Sequence, residues 1–502
     1  MPKQDEELTV LDLANRQKSL SYTKGQPMRF TSAVVAARKK IFAVTAKVKV
    51  QMFLVATLLC FACSGIVNSA RAELFAPQTF TLNNGMQVVV LTNRRAPIVT
   101  HMVWYKVGAV DDPWGTSGIA HFLEHLMFRG SVNVPPGMFS RRVAENGGSG
   151  NAFTSWDYTA YHQTIARDRL DLVMSMEADR MKNLQLNRAQ LLPERDVILE
   201  ERRSRIDNSP SAKLSEQMYR ALFTNSPYGR PIIGWEHEMR QLDLKDAQAF
   251  YNKWYAPNNA ILIVAGDIDA KELRPLAEKY YGGIPKRVVP GRIRTAEPES
   301  SANVQRRIIM RSAEVRQSTM RRMYLAPSVS TGSPSDICAI QILAEILGGG
   351  STSRLHRKLV VEQAIAVSAS AYYDPNSLGQ AVLNFSITPR GESEIRQRLA
   401  AIEGVLNDEI EKLVEDGVTE EEVRQVRERM VASTAFARDD LESAARVIGA
   451  SLSTGETIDD VESWPQRIGA VTAEQVNKMA RLIFSNQSAV TGQLLPVQET
   501  KP

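Results

Sequence analysis

Two histidines four residues apart, His121 and His125, stand in the stretch GIAHFLEHLMFRGS (Gly118–Ser131), with Glu124 directly before the second. On a helix, positions i and i+4 share a face with Cβ atoms about 5–6 Å apart, so both imidazoles can address one cation. Glu124 falls beside the pair, where a carboxylate can hold and deprotonate a water. Hydrolysis at a zinc centre requires this arrangement: two or three protein ligands, one open position, and a base within hydrogen-bond reach of the water. The order H-x-x-E-H reverses the commoner H-E-x-x-H pattern. With 6 histidines in 502 residues, chance produces the five-residue pattern in roughly a few chains per thousand of this composition.

A further ligand has to come from elsewhere. In LLPERDVILEERRSRID (Leu191–Asp207), Glu194 and Glu201 lie seven apart, two helical turns, and so share a face. Most charges of this stretch read as solvated i,i+4 pairs. Spacing alone leaves Glu194, Glu200 and Glu201 equal candidates.

The elements that must position these groups fall into two similar halves. FTLNNGMQVVVLTN reads as a hairpin turning at Asn84-Gly85, and IVTHMVWYKVGA as an apolar strand leading to the motif helix. RLDLVMSMEADRMKN and ERDVILEERRSRIDN have helical periodicity, and NNAILIVAGDID is a buried strand. IPKRVVPGRIRTAEPESSANVQ (Ile284–Gln305) has no period and is rich in proline and polar residues, so it reads as a linker, drawn at 291–305. Beyond it the order repeats: strands in RRIIMRSAEVRQSTMRRMYLAP, a helix in SDICAIQILAEILGGG, a strand in LGQAVLNFSITPR, and a long helix from Glu392 to Gly417. The pattern predicts an α+β protein of two α/β-sandwich domains related by duplication, at 73–290 and 306–502. The second lacks any counterpart of the histidine pair.

HFLEH followed 76 residues later by Glu201, within ERDVILEE, resembles the pitrilysin/insulinase family of zinc metallopeptidases. It is most similar to the two-domain branch that includes bacterial peptidases and the mitochondrial processing peptidase. GGSGNAFTSWDYTAYH, SPYGRPIIG, YNKWYAPNNAILIVAGDID and ILGGGSTSRLHRKL extend the resemblance over residues 75–490. It implies one Zn2+ per chain held by His121, His125 and Glu201, with Glu124 as general base and Glu194 behind a ligand, orienting it. It also implies two mostly antiparallel sheets with helices packed on them, forming half of a clamshell. GNAFTS would then be a sheet edge to which an extended substrate adds as one more strand through Asn151, Ala152 and Phe153, favouring unstructured polypeptides.

The second half departs from the family pattern. Self-sufficient relatives carry an Arg and a Tyr seven residues apart after the S-R-L segment, and alignment on Ser353-Arg354-Leu355 puts Val360 and Val367 there. Valine cannot polarise a carbonyl or stabilise an oxyanion. The nearby Arg357, Tyr372 and Tyr373 are the alternative if the alignment slips locally. The expectation is the metal-bearing subunit of a heterodimer whose homologous, metal-less partner supplies the Arg/Tyr pair. The expected activity is zinc endopeptidase hydrolysis of peptides or unfolded segments. The alternatives are a precursor-processing peptidase with one specific site, or a non-catalytic assembly subunit that retains the fold.

Charge distribution gives no reason to expect a polyanion partner, and no nucleic-acid partner is expected. Residues 1–72 hold 11 Lys/Arg and 4 Asp/Glu, so the rest of the +5 chain carries −2. That segment reads as an export signal: Arg38, Lys39, Lys40, Lys47 and Lys49 precede the apolar run Met52–Val67, and Ala70 and Ala72 suit cleavage after Ala72. The run is short of the about 20 residues of a membrane span, and translation could start at Met28. The expected location is the periplasm or cell envelope, with inner-membrane attachment only through an uncleaved signal. Cys60 and Cys63 fall in the signal. Cys338, the cysteine left to a mature chain, reads as a buried small hydrophobe.

Overall fold

The computed structural model describes residues 74–297, 305–437, 440–485 and 489–497. The expected export segment, with Cys60 and Cys63, lies outside the described residues.

Among them the strands form two sheets. The first runs β1 (Gln78–Thr81), β2 (Gln87–Thr92), β6 (Ala260–Gly266), β3 (Ile98–Tyr105), β5 (Thr159–Ala166), β4 (Ser149–Thr154). The second runs β7 (Arg306–Ser312), β11 (Ala489–Pro496), β8 (Thr319–Ala326), β10 (Ala381–Pro389), β9 (Ala366–Asp374). Setting aside the extra β1, both sheets are wired identically. The first strand pairs in parallel with the last (β2 with β6, β7 with β11), and every other neighbour is antiparallel. Duplication, read from the order of elements, is therefore visible as topology. The predicted Asn84-Gly85 turn closes β1 on β2, with Gly85 at φ +90°, a region glycine enters without a Cβ clash.

Strand patterning follows from what covers each face. All seven residues of β6 are buried, as expected of a central strand with both faces covered. One face of the first sheet packs on a core that includes Ile119, Phe122, Leu123 and Leu126 of the motif helix. The other face, with Val89, Met102, Trp104, Ile261 and Ile263, is covered by Ala444, Ala445 and Ile448 of the helix Leu441–Ser453. That helix lies in the second half of the chain. The converse also holds. Leu214, Met218 and Leu222 of the first-half helix Pro210–Leu222 pack against Met323, Val490 and Leu494 of the second sheet. Each half thus lends a helix to the other's sheet, and a glycine stands at each seat. A Cβ on Gly449 would lie 2.0 Å from Trp104 Cε2, and one on Gly492 would lie 2.3 Å from Met218 Sδ.

The stretch read as a linker has no helix or strand over residues 285–297, yet it is docked. Arg294 pairs with Asp111 and Asp157, each at 2.8 Å. Arg292 donates to Asp157 O and Ser453 O, and Glu297 accepts from the backbone N–H groups of Thr224, Asn225 and Ser226. Cys338 is buried, as expected, with its thiol pushed up to about 11 by burial.

Candidate metal centre

The motif helix, Ile119–Leu126, starts on Gly118 at φ +88°. A Cβ there would meet Met239 Sδ at 2.5 Å and Ile233 O at 2.6 Å, so this start requires glycine. The buried Asp112 accepts from Gly118 N (2.7 Å) and Ala120 N (3.1 Å), satisfying free N–H groups at the helix N-terminus. Four apolar side chains drive one face into the core, which turns His121, Glu124 and His125 toward the helix Arg188–Arg202 and toward β4.

His121 Nε2 and His125 Nε2 converge on one oxygen, Glu201 Oε2, at 3.9 and 3.2 Å. On the far side of His125, Nδ1 lies 2.9 Å from Glu194 Oε1. A carboxylate only accepts, so Nδ1 carries a proton, and Nε2 is the nitrogen that faces Glu201. Glu194 is itself held by Arg129. Glu200, equal to the other two by spacing, is exposed and pairs with Arg203 at 3.0 Å. The ligand-type atoms of His121, Glu124 and His125 lie within 4.8 Å of one another, so proximity alone would admit Glu124 as a ligand. Its Oε2, however, is bonded to Thr154 Oγ1 at 2.6 Å.

Burial, hydrogen bonds and neighbouring charge shift all four groups of the site. Burial, then the neighbouring His125 charge, pushes His121 down to about 4, leaving a neutral ring with a lone pair to give. Burial would also lower His125, but hydrogen bonds to Glu194 and Glu201 hold it up at about 9. Burial raises Glu124 against the opposing bond from Thr154. The bond to His125 holds Glu201 below the usual carboxylate range. Two imidazole nitrogens and a carboxylate oxygen form a donor set suited to zinc. His121 Nδ1 is buried without a hydrogen-bond partner, and Nε2 is the nitrogen that faces Glu201.

β4 pairs with β5 alone and presents its other edge to a cleft of about 670 Å³. The cleft is lined by His121, Glu124, His125, Glu201 and the strand residues 151–154, among others. The three strand residues differ in setting. Asn151 is exposed, and Ala152 packs on the first core beside the motif helix. The Phe153 ring packs on the opposite face, 5.3 Å from Trp104 and beneath Arg446. What the strand offers along its edge is chiefly backbone.

Three residues at the site were not singled out from sequence: Thr154, Arg129, and Arg205, which bonds Glu201 Oε1 at 3.0 Å. Arg205 stands four residues after Glu201, so i,i+4 spacing carries a signal for it, whereas Arg129 lies past the motif helix and meets Glu194 far along the chain. Thr154 has no local signal, because its contact joins a strand to a helix.

In the second half, Val360 lies in the π-helical turn Arg357–Glu362, half-buried against the second core, and Val367 lies on β9. Three of the nearby polar groups have partners of their own. Arg354 binds Glu422 through two bonds of 2.8 Å, Arg357 lies 3.6 Å from Glu362, and Tyr373 donates to Pro327 O. Tyr372 is 65% exposed.

The duplicated α/β fold thus sets two histidines and two glutamates beside an open sheet edge. Residues 87–236 match the family described as insulinase (peptidase family M16), and residues 241–430 match the peptidase M16 inactive domain. The zinc protease PqqE of Helicobacter pylori is 31% identical over 310 residues, covering 61% of this chain and 68% of that one. An uncharacterized zinc protease of Mycobacterium tuberculosis is 27% identical, covering 84% and 94%. Among solved structures, a protease from Helicobacter pylori superposes with a TM-score of 0.74 at 27% identity, covering 84% and 99%. The first half of the periplasmic protease PqqL from Escherichia coli gives 0.71 at 21% identity, covering 84% and 92%, a likeness of fold. The chain belongs to peptidase family M16, the insulinase family.

Proposed function

We propose that this chain is the zinc-bearing subunit of an endopeptidase that cleaves extended peptides or unfolded segments. One observation carries the reading: His121, His125 and Glu201 converge, with Glu124 alongside, in the cleft that the free edge of β4 borders. His121, His125 and Glu201 would hold the ion, which when bound supplies Lewis-acid polarisation of the scissile carbonyl and lowers the pKa of water. Glu194 keeps the proton of His125 on Nδ1, so that Nε2 faces the ion. Glu124 takes the proton of the attacking water and delivers it to the leaving amine. β4 holds the substrate extended by backbone hydrogen bonds, which favours unstructured polypeptide over folded protein.

A homologous partner supplying an Arg/Tyr pair is part of the proposal. It is supported by valine at 360 and 367. Export to the cell envelope is proposed from residues 38–72 alone. The test is metal analysis of the wild-type chain, with a peptidase assay of Glu124→Gln in the presence of the partner. One zinc per chain and an inactive variant are expected. Bound zinc with undiminished activity in the variant would remove the catalytic assignment.

A further inference from the structure

Among the described residues, the Glu124 carboxylate takes one side-chain hydrogen bond, from Thr154 Oγ1 at 2.6 Å. Thr154 is the last residue of β4, where the strand enters a tightly fixed turn. Ser155 N donates to Tyr158 O (2.8 Å), and Ala109 N and Val110 N donate to Ser155 O and Trp156 O (3.0 Å each). Behind the hydroxyl, Thr159 Oγ1 lies 3.5 Å from Thr154 Oγ1 and 3.0 Å from Val107 O. On its other side the strand is open-edged. Thr154 therefore joins three things: a rigid turn, the edge where a peptide would add, and the glutamate beside the metal ligands.

The bond also decides between two fates for Glu124. Its ligand-type atom is within 4.8 Å of those of both histidines, close enough for a freed carboxylate to swing in as an additional metal ligand. A ligating carboxylate is no longer a free base. Held by Thr154 through Oε2, the group keeps its other oxygen for proton transfer.

We infer that Thr154 is the positioning residue that keeps Glu124 a base rather than a ligand, and that a peptide bound along β4 strengthens this hold. The inference rests on the reading of Glu124 as base. Strand addition steadies residues 149–154, and Thr154 passes that order to the carboxylate. Binding energy gained away from the scissile bond then appears in kcat.

The test uses the full chain with its partner, comparing Thr154→Val, which removes the hydroxyl at constant shape, with Thr154→Ser, which keeps it. Zinc affinity is measured by chelator competition, and kcat and KM are measured on a short peptide and on one long enough to pair along β4. Thr154→Val should lower kcat about 10–100-fold, the scale of a misplaced catalytic group, with KM unchanged and zinc bound as tightly as in wild type or tighter. It should also abolish the kcat advantage of the longer peptide. Thr154→Ser should restore both. Wild-type kcat in Thr154→Val, weakened zinc binding, a loss confined to KM, or a Ser variant as poor as the Val variant would each overturn the inference. Should Thr154→Val not fold, Thr154→Ala replaces it, and failure of both to fold overturns the inference by making the residue structural. Glu124→Gln in the same assay reads the base assignment separately. Full activity there removes the base, whereas an inactive Glu124→Gln beside an unaffected Thr154→Val removes only this inference.

Discussion

The motif helix Ile119–Leu126 and the helix Pro334–Gly348 occupy equivalent places. Each follows the central antiparallel strand of its sheet (β3, β8) and precedes the edge strand (β4, β9). Their contents differ. The second buries ten of its 15 residues, all apolar or small, around Cys338. The first gives three positions of a shorter helix to His121, Glu124 and His125, two of them buried at a cost in desolvation. The frame is thus indifferent to the chemistry. One copy spends its helix on packing, and the other gives up packing for donor atoms.

The contrast can be broken at either end. The largest effect is expected from Glu124→Gln, which should lower the peptidase rate about 10²–10⁴-fold with zinc retained. Glu201→Ala should remove zinc, while Glu194→Ala should weaken zinc binding about 10–100-fold, as loss of an orienting partner does. Competition with a chelator separates the two. In the second half, Leu343→Ala should cost about 2–5 kcal/mol of stability by opening a cavity in the core, with zinc stoichiometry unaltered. A parallel fall in zinc would show that the halves are not separable in this way.

Smaller effects sharpen the exchange of helices. Gly449→Ala drives a methyl group into the rigid Trp104 indole and should cost about 1–3 kcal/mol. Gly492→Ala meets the flexible Met218 thioether and should cost less, so thermal unfolding should rank the two. The smallest effect concerns pH. Burial would raise Glu422, but its bonds to Arg354 and Thr419 outweigh this and hold it down at about 2, against an ordinary 4.5. A carboxyl depressed on folding stabilises above its unfolded pKa and loses that contribution as pH falls through the folded one. The contribution should be whole above pH 4.5 and fade toward pH 2, and Glu422→Gln should flatten this part of the Tm profile.

Much of the frame was legible in the sequence. The histidine pair, the glutamate candidates and the repeated order of elements are local or periodic, and local pattern is what a sequence displays. The choice among Glu194, Glu200 and Glu201 was not legible from spacing alone, because which glutamate faces His125 depends on how two helices cross. The same holds for the helices 210–222 and 441–453. Their apolar faces announce that something is covered, but amphipathicity does not say which sheet. Thr154 was hidden for a related reason, since a hydroxyl at a strand end reads like any turn-flanking threonine until its partner on the motif helix is known.

The lent helix has a consequence for how the chain comes to be folded. Synthesis completes β6 well before it reaches residue 441, an interval of roughly ten to thirty-five seconds at ribosomal rates. Throughout that time the first sheet has strands to pair but no cover for Val89, Leu91, Met102, Trp104, Ile261 and Ile263. The half that carries the histidine pair lacks that cover until the helix from the other half docks. A nascent or truncated chain ending before residue 441 would present that face as a site for chaperone capture or aggregation.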